Sequence, residues 1–302
     1  MKKFKISYIE TMVSYQCNLS CIGCSNFCDY PHKGYENWET NEANIEQWAK
    51  IIEPEVFGIM GGEPLLNPEL EKWIYGIRKY FPKTTILLMT NGTLLKNNSY
   101  IIDVLLNNSP SSIFITLQRE REDINNFVEQ YINESKKRFI RKEIYQPLLD
   151  KEYILLDKRK FSIQIHETDK FIKRYRGYGI NIYPYNSCSQ EEAYELCIDR
   201  PILYKHQLYR CGKIPLLKET LKLTGQILDR ETNNIWKECL DYRGLKCSDN
   251  ESLMEEFFSK LHVSESVCKT CPSKKDRCII KHQDYVYTKT EWLKKFWEKD
   301  KS

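Results

Sequence analysis

Short apolar runs alternate with amphipathic stretches through the first half of the chain. Lys5–Val13 reads as a strand. Ile45, Trp48, Ala49 and Ile52 fall on one face of a helix over Asn41–Ile52, and Val56–Met60 is a short apolar strand. Asn67 followed by Pro68 predicts a helix start, with a capping side chain and then proline in the first turn. Leu70, Trp73, Ile74 and Ile77 carry that helix onward. Thr84–Thr90 is strand-like, Ser99–Leu106 helical, Ser112–Leu117 a strand. Ile124, Phe127, Val128, Tyr131 and Ile132 mark a fourth helix. Phe161–His166 reads as a fifth strand and Ile180–Tyr185 as a sixth. The charged stretch between Arg119 and Lys160 reads as a solvated helix face plus an insertion.

Repeated βα units imply parallel strands with right-handed crossovers, hence an α/β fold, either an open sheet or a barrel. The unusual segments sit where such folds build their sites, at strand C-termini. A cysteine-rich run follows strand one and Gly61-Gly62-Glu63-Pro64 follows strand two. Thr90-Asn91-Gly92 ends strand three and Thr116-Leu117-Gln118 ends strand four. Four such segments in register favour a barrel over chance turns.

Composition narrows the class. The 302 residues suffice for one large domain and a small one, and the boundary falls at 187/188, where cysteines reappear. A net charge of +4 from 46 basic and 42 acidic residues does not suit a dedicated nucleic-acid binder. Met1-Lys2-Lys3-Phe4-Lys5 is followed by no apolar signal region, and no run is long enough to span a membrane, so the cytoplasm is the expected compartment. In a reducing compartment twelve cysteines point to metal rather than to disulfides. Four lie at 17–28 and eight at 188–278, which suggests two metal-bearing regions.

Cys17, Cys21 and Cys24 are spaced C-x3-C-x2-C. Three thiolates can hold three corners of a [4Fe–4S] cube, and such clusters take four, so one iron stays open for another ligand. The zinc reading would close the site with Cys28, although zinc prefers paired C-x2-C units. With Gly61-Gly62-Glu63-Pro64 after the second strand, the chain resembles the radical S-adenosylmethionine (SAM) superfamily. That resemblance implies a partial (βα)6 barrel over 1–187, a three-cysteine [4Fe–4S] cluster, and SAM as cofactor, chelated to the open iron. It implies that Gly61, Gly62, Glu63 and Pro64 bind the methionyl amine, and that Asn91, Thr116 and Gln118 contact SAM. The family often has an aromatic residue before the third cysteine, beside the adenine. Here that position is Gly23, and Phe27 is the nearby substitute. Cys28 is read as a bystander thiol.

Residues 188–302 resemble the twitch or SPASM modules of the same superfamily, which hold auxiliary [4Fe–4S] clusters. Cys197 and Cys211 flank two short strand-like segments around Lys205-His206, and Cys268-Lys269-Thr270-Cys271-Pro272 is a C-x2-C turn. Cys268, Cys271 and Cys278 give C-x2-C-x6-C with His282 last, which departs from the full SPASM signature, so the shorter twitch module fits better. The resemblance implies Cys197, Cys211, Cys268 and Cys271 as ligands, with Cys188, Cys239, Cys247 and Cys278 as alternatives. Zinc is the alternative occupant and would also staple a polar lobe. Leu253, Met254, Phe257, Phe258 and Leu261 read as a core helix, and Trp292, Leu293, Phe296 and Trp297 as a terminal one.

The expected function is hydrogen abstraction from a bound substrate by a 5′-deoxyadenosyl radical made by reductive cleavage of SAM, with oxidation, epimerisation or rearrangement as the outcome. Partners implied are a reductant such as flavodoxin or ferredoxin and a small-molecule or peptide substrate. Peptide-modifying members often carry a leader-binding domain ahead of the barrel. Strand one begins within the first residues here, so a small-molecule or sugar-like substrate is expected, with a peptide and a leader bound in trans as the alternative. A zinc- or Fe–S-stabilised binding module without catalysis is the alternative of another class. No catalytic acid or base stands out; Glu10, Tyr15, His166 and Glu167 are the candidates near strand ends.

Overall fold

The computed structural model describes residues 3–281 except 22, 118–120, 136, 138, 147–148, 168–169, 173, 177–181, 196 and 198–199. The chain divides into two compact units, Met1–Ser14 with Tyr35–Asp169, and Tyr15–Gly34 with Lys170–Ser302. This differs from the expected boundary at 187/188: the division falls at 169/170, and the first cysteine loop groups with the C-terminal half.

In the first unit, strands and helices alternate: β1 (Phe4–Ser14), α1 (Trp38–Ile51), β2 (Ile52–Gly61), α2 (Leu70–Tyr80), β3 (Thr85–Thr90), α3 (Tyr100–Asn107), β4 (Ser111–Leu117) and α4 (Glu122–Glu134). A hairpin of β5 (Phe139–Gln146) and β6 (Leu149–Leu155) precedes β7 (Phe161–Glu167). The strand order is β1-β2-β3-β4-β7-β6-β5; the first five run parallel and the hairpin adds two antiparallel strands at the edge. This is the α/β fold of the radical SAM barrel expectation, in five parallel strands. Of the expected strand at Ile180–Tyr185, 180 and 181 lie outside the described residues; among the described ones, Tyr183 makes an isolated bridge to Arg176. Among the described residues between Arg119 and Lys160, α4 and the β5–β6 hairpin supply the expected helix and insertion.

Strand alternation sorts the sheet into two faces. Ile59, Leu88, Ile113, Ile115, Ile163 and Ile165 are fully buried, each worth roughly 1.5–3 kcal/mol on leaving water. On the opposite face Met60, Met89, Phe114, Thr116, Gln164 and His166 stay half-buried, and register pairs Met89 with Phe114, Phe114 with Gln164, and Thr116 with His166. Asn67 does not cap α2, which begins at Leu70. Its side chain accepts the Glu69 N–H at 2.8 Å and donates to Val13 O (2.8 Å) and Glu36 O (3.0 Å), tying the turn to the end of β1.

The second unit holds β8 (Lys170–Ile172), α5 (Gln190–Tyr194), β9 (Ile202–Tyr204), β10 (Gln207–Tyr209), α6 (Lys213–Thr224), α7 (Arg230–Leu240), β11 (Leu245–Lys246), α8 (Glu251–Ser259) and β12 (Ile279–Lys281). β9 and β10 form the expected hairpin. Lys205 and His206 both take positive φ (44° and 68°), the geometry of a two-residue turn that follows strand twist. Met254, Phe258 and Leu261 bury the inner face of α8 and its C-terminal turn. The expected helix at Trp292, Leu293, Phe296 and Trp297, and His282, lie outside the described residues.

Candidate active site

β1 ends at Ser14, and Cys17 follows three residues on. Ser14 pairs with Gly61, and a side-chain carbon on Gly61 would sit 2.4 Å from the Ser14 carbonyl oxygen. Glycine is therefore needed there for the approach of β1 itself. The Gly62 N–H donates to Ser14 O at 2.9 Å. Glu63 is wholly buried. Its carboxylate accepts from Leu65 N–H (3.1 Å), Thr90 Oγ1 (2.7 Å) and Asn91 N–H (2.8 Å), joining the ends of β2 and β3. Burial pushes it up to about 7, against those three hydrogen bonds, which favour the ionised form. Pro64 opens a 3-10 turn, Pro64–Leu66, that Glu63 caps. The Glu63 carboxylate thus makes three hydrogen bonds within the protein.

Asn91 is buried and folds on itself: its Oδ1 accepts the Thr93 N–H (3.0 Å) and hydroxyl (2.5 Å). Thr116 lies half-buried on the polar sheet face opposite His166. Gln118 lies outside the described residues. Of the acid–base candidates, Glu10 is buried and accepts from Tyr8 OH at 2.9 Å. His166 stacks on Phe114 with centroids 6.3 Å apart. Glu167 accepts from Asn125 (2.8 Å) and pairs with Lys151 (3.2 Å). Tyr15 packs edge-on to Tyr204.

The cysteine loop is built from turns. Cys24 N–H donates to Cys21 O (3.1 Å), Phe27 N–H to Cys24 O (3.0 Å), and Leu19 N–H to the Cys17 sulfur (3.4 Å). Gly23 takes φ of 75°, a conformation an aromatic residue adopts only with strain. The family's aromatic position is thus replaced by a backbone turn, whose N–H donates to Asp29 Oδ2 at 3.1 Å. Phe27 does not present an adenine surface: it is fully buried and stacks on Tyr175, centroids 5.1 Å apart. A hydrogen bond with Cys28 brings the Cys24 thiol down to about 7 and holds Cys28 well above its ordinary value.

In the same unit, Cys197, Cys211, Cys268 and Cys271 line one cavity. Cys197 follows α5, Cys211 precedes α6, and Cys271 N–H closes a 3-10 turn on Cys268 O (2.9 Å). The Cys197 thiol hydrogen-bonds to Cys271 and so lowers Cys271, helped by Lys213 and Arg174. Burial pushes Cys211 up to about 12. Cys239 is buried nearby, 3.5 Å from the Thr270 hydroxyl. Cys188 and Cys278 are exposed and Cys247 is half-buried; none of the three lines the cavity.

Among the described residues, no three His, Cys, Asp or Glu side chains converge on one ion. A [4Fe–4S] cluster takes each thiolate on a different iron, and both sets are soft sulfur donors, the chemistry such clusters use. Sequence reasoning missed Asp29, Tyr175, Lys213 and Arg210. The available signals were a carboxylate inside Phe27-Cys28-Asp29-Tyr30 and a lysine heading the apolar run Ile214-Pro215-Leu216-Leu217.

A parallel α/β sheet with a three-cysteine loop after its first strand and Gly-Gly-Glu-Pro after its second defines a cofactor-dependent enzyme of the strand-end type. The family model of the Radical SAM superfamily matches residues 11–183, more than half of the chain. The protein belongs to that superfamily and is a radical SAM enzyme, which implies a [4Fe–4S] cluster and SAM. It is 31% identical over 94 residues to a GTP 3′,8-cyclase of Nautilia profundicola, and 38% identical over 96 residues to one of Clostridium acetobutylicum. These matches span 30% of this chain and 30% and 29% of those enzymes. The fold is also that of BtrN, solved in complex with AdoMet and 2-DOIA: TM-score 0.53, 14% identity, covering 95% of this chain and 100% of BtrN. No helix among the described residues is long and apolar enough to cross a membrane.

Proposed function

We propose that this enzyme cleaves SAM reductively at a [4Fe–4S] cluster on Cys17, Cys21 and Cys24, and that the 5′-deoxyadenosyl radical so supplied abstracts hydrogen from a small-molecule or sugar-like substrate. An auxiliary [4Fe–4S] cluster sits on Cys197, Cys211, Cys268 and Cys271. The observation that carries the second cluster is the meeting of those four thiols at one cavity, from segments up to 74 residues apart in sequence (271 − 197). Oxidoreductase chemistry is the outcome an electron-accepting auxiliary cluster serves; epimerisation and rearrangement are the others.

The chain's own residues have definite tasks in this reading. Turns at Cys21–Cys24 and Cys24–Phe27 set the loop. The Leu19 N–H supports the Cys17 sulfur, as hydrogen bonds to ligand sulfurs do in such sites. Glu63, Thr90 and Asn91 lock the ends of β2 and β3, which keeps the backbone of 61–64 in place for the methionyl amine. The sugar-like reading is supported by the half-buried sheet face, where Thr116, Gln164 and His166 offer hydroxyl, amide and imidazole groups beside Phe114 and Met89. A nucleotide stays within this small-molecule class, given the GTP-acting relatives. A flavodoxin or ferredoxin is the reductant.

The test is iron, sulfide and zinc per chain after anaerobic reconstitution, in the parent and in the Cys17/Cys21/Cys24→Ala variant. About eight irons falling to about four supports both clusters. About four falling to none leaves the SAM cluster alone. Zinc at both sites, unmoved by reconstitution, would sink the radical mechanism.

A further inference from the structure

Lys213 begins α6 two residues after Cys211 and is only 6% exposed. Its ammonium donates to Arg174 O at 2.9 Å and Thr270 O at 3.0 Å, and lies 5.3 Å from the centre of the Trp236 ring. Among the described residues no carboxylate pairs with it. The other cation held as deeply at this cavity, Arg210, is neutralised by Glu265 at 2.6 Å and donates to the carbonyls of Lys260 (2.6 Å), Leu261 and Val263. An ammonium buried without an anion is strongly unfavourable. The negative charge that can form beside Lys213 is sulfur, since it lines the cavity with the four cysteines. The N-terminus of α6, a helix of 12 residues, adds positive potential beside Cys211.

We propose that Lys213 sets the reduction potential of the auxiliary cluster, its fixed charge favouring the form that carries one more electron. The proposal rests on the auxiliary-cluster reading above. The physical ground is that net charge and hydrogen bonds at the ligand sulfurs are main levers on such potentials, and that a buried charge is weakly screened. Lys213 lines the cavity of the four cysteines and would act on the cluster through its charge, so it is a tuning residue.

The experiment is an EPR-monitored dithionite titration of the full chain carrying Cys17/Cys21/Cys24→Ala, so that the auxiliary cluster alone responds. Lys213→Met should lower the midpoint by at least about 59 mV, a tenfold bias in a one-electron equilibrium. Lys213→Arg, which keeps the charge, should stay near the parent. Lys213→Gln keeps a donor without charge and should follow Lys213→Met. Full iron with an unchanged midpoint in Lys213→Met overturns this proposal alone. A parent without iron at the C-terminal cysteines overturns the cluster reading with it. Loss of iron from both neutral variants, with Lys213→Arg intact, would make Lys213 a residue that holds the cluster rather than tunes it, and overturns the proposal as stated.

Discussion

The two cysteine sets share one unit of the molecule yet are assembled in opposite ways. Cys17, Cys21 and Cys24 lie within eight residues, and their geometry comes from local turns. Cys197, Cys211, Cys268 and Cys271 come from a helix end, a hairpin end and a 3-10 turn, and meet only because the surrounding elements pack. Their charge surroundings differ as well. The first loop is buttressed by a buried acid, Asp29, with Tyr175 and Tyr30; the cavity is ringed by buried bases, Lys213 and Arg210. A locally built set survives as a sequence motif. A tertiary set needs the fold first, and the fold in turn gains from whatever the set binds.

The largest expected difference follows from this. Cys17/Cys21/Cys24→Ala should abolish SAM cleavage while leaving the melting temperature of the C-terminal unit nearly unchanged. Cys197/Cys211/Cys268/Cys271→Ala should lose about four irons and also lower the melting temperature of the reconstituted protein, because metal binding to a tertiary site is folding free energy. Calorimetry on both variants checks it, and equal stability losses would break the contrast.

That asymmetry also explains what the sequence could disclose. Apolar periodicity located β1 to β4 and β7, since strands buried on one or both faces leave a plain pattern. The β5–β6 hairpin did not show, because Arg141, Lys142, Glu143, Lys151 and Glu152 give it the charge density of a solvated helix. The motif residues stood out by spacing; their roles did not. Gly61 serves the approach of β1, and Phe27 serves the core beneath the loop, both consequences of packing. Lys213 and Asp29 carry only their apolar flanks as a marker, because a charge is recognisable as buried only once its neighbours from distant elements are in place.

Smaller effects sharpen the contrast at the strand ends. Gly61→Ala should cost about 1–3 kcal/mol of stability, the usual range for overpacking, since its new methyl meets the Ser14 backbone rather than a movable side chain. Glu63→Gln should cost a similar amount, about 1–3 kcal/mol: its amide cannot accept from Leu65, Thr90 and Asn91 together. Denaturant melts of each variant measure these costs. A Glu63→Gln protein as stable as the parent would show that the β2–β3 junction does not need the carboxylate.

The last difference is one of pH. Asp29 is buried against Tyr175, whose hydroxyl donates to it, and is pushed up to about 8, first by burial and then by Cys24. An unfolded aspartate titrates near about 4. Between those two values the folded protein holds a proton that the unfolded chain has released, so stability from Asp29 is full below the unfolded pKa and is lost as pH rises through the folded one. Asp29→Asn cannot ionise and lacks this slope. Melts of the metal-free full chain across the window should show the parent losing ground to Asp29→Asn as pH rises. Tyr175→Phe removes the hydrogen bond that favours the ionised form, so the parent's slope should extend to higher pH in that variant. Parallel curves for parent and Asp29→Asn would mean that Asp29 is already ionised in the folded loop, with the charge balanced by Gly23 N–H and Tyr175, and the acid-buttressed character of the first cysteine set would fall.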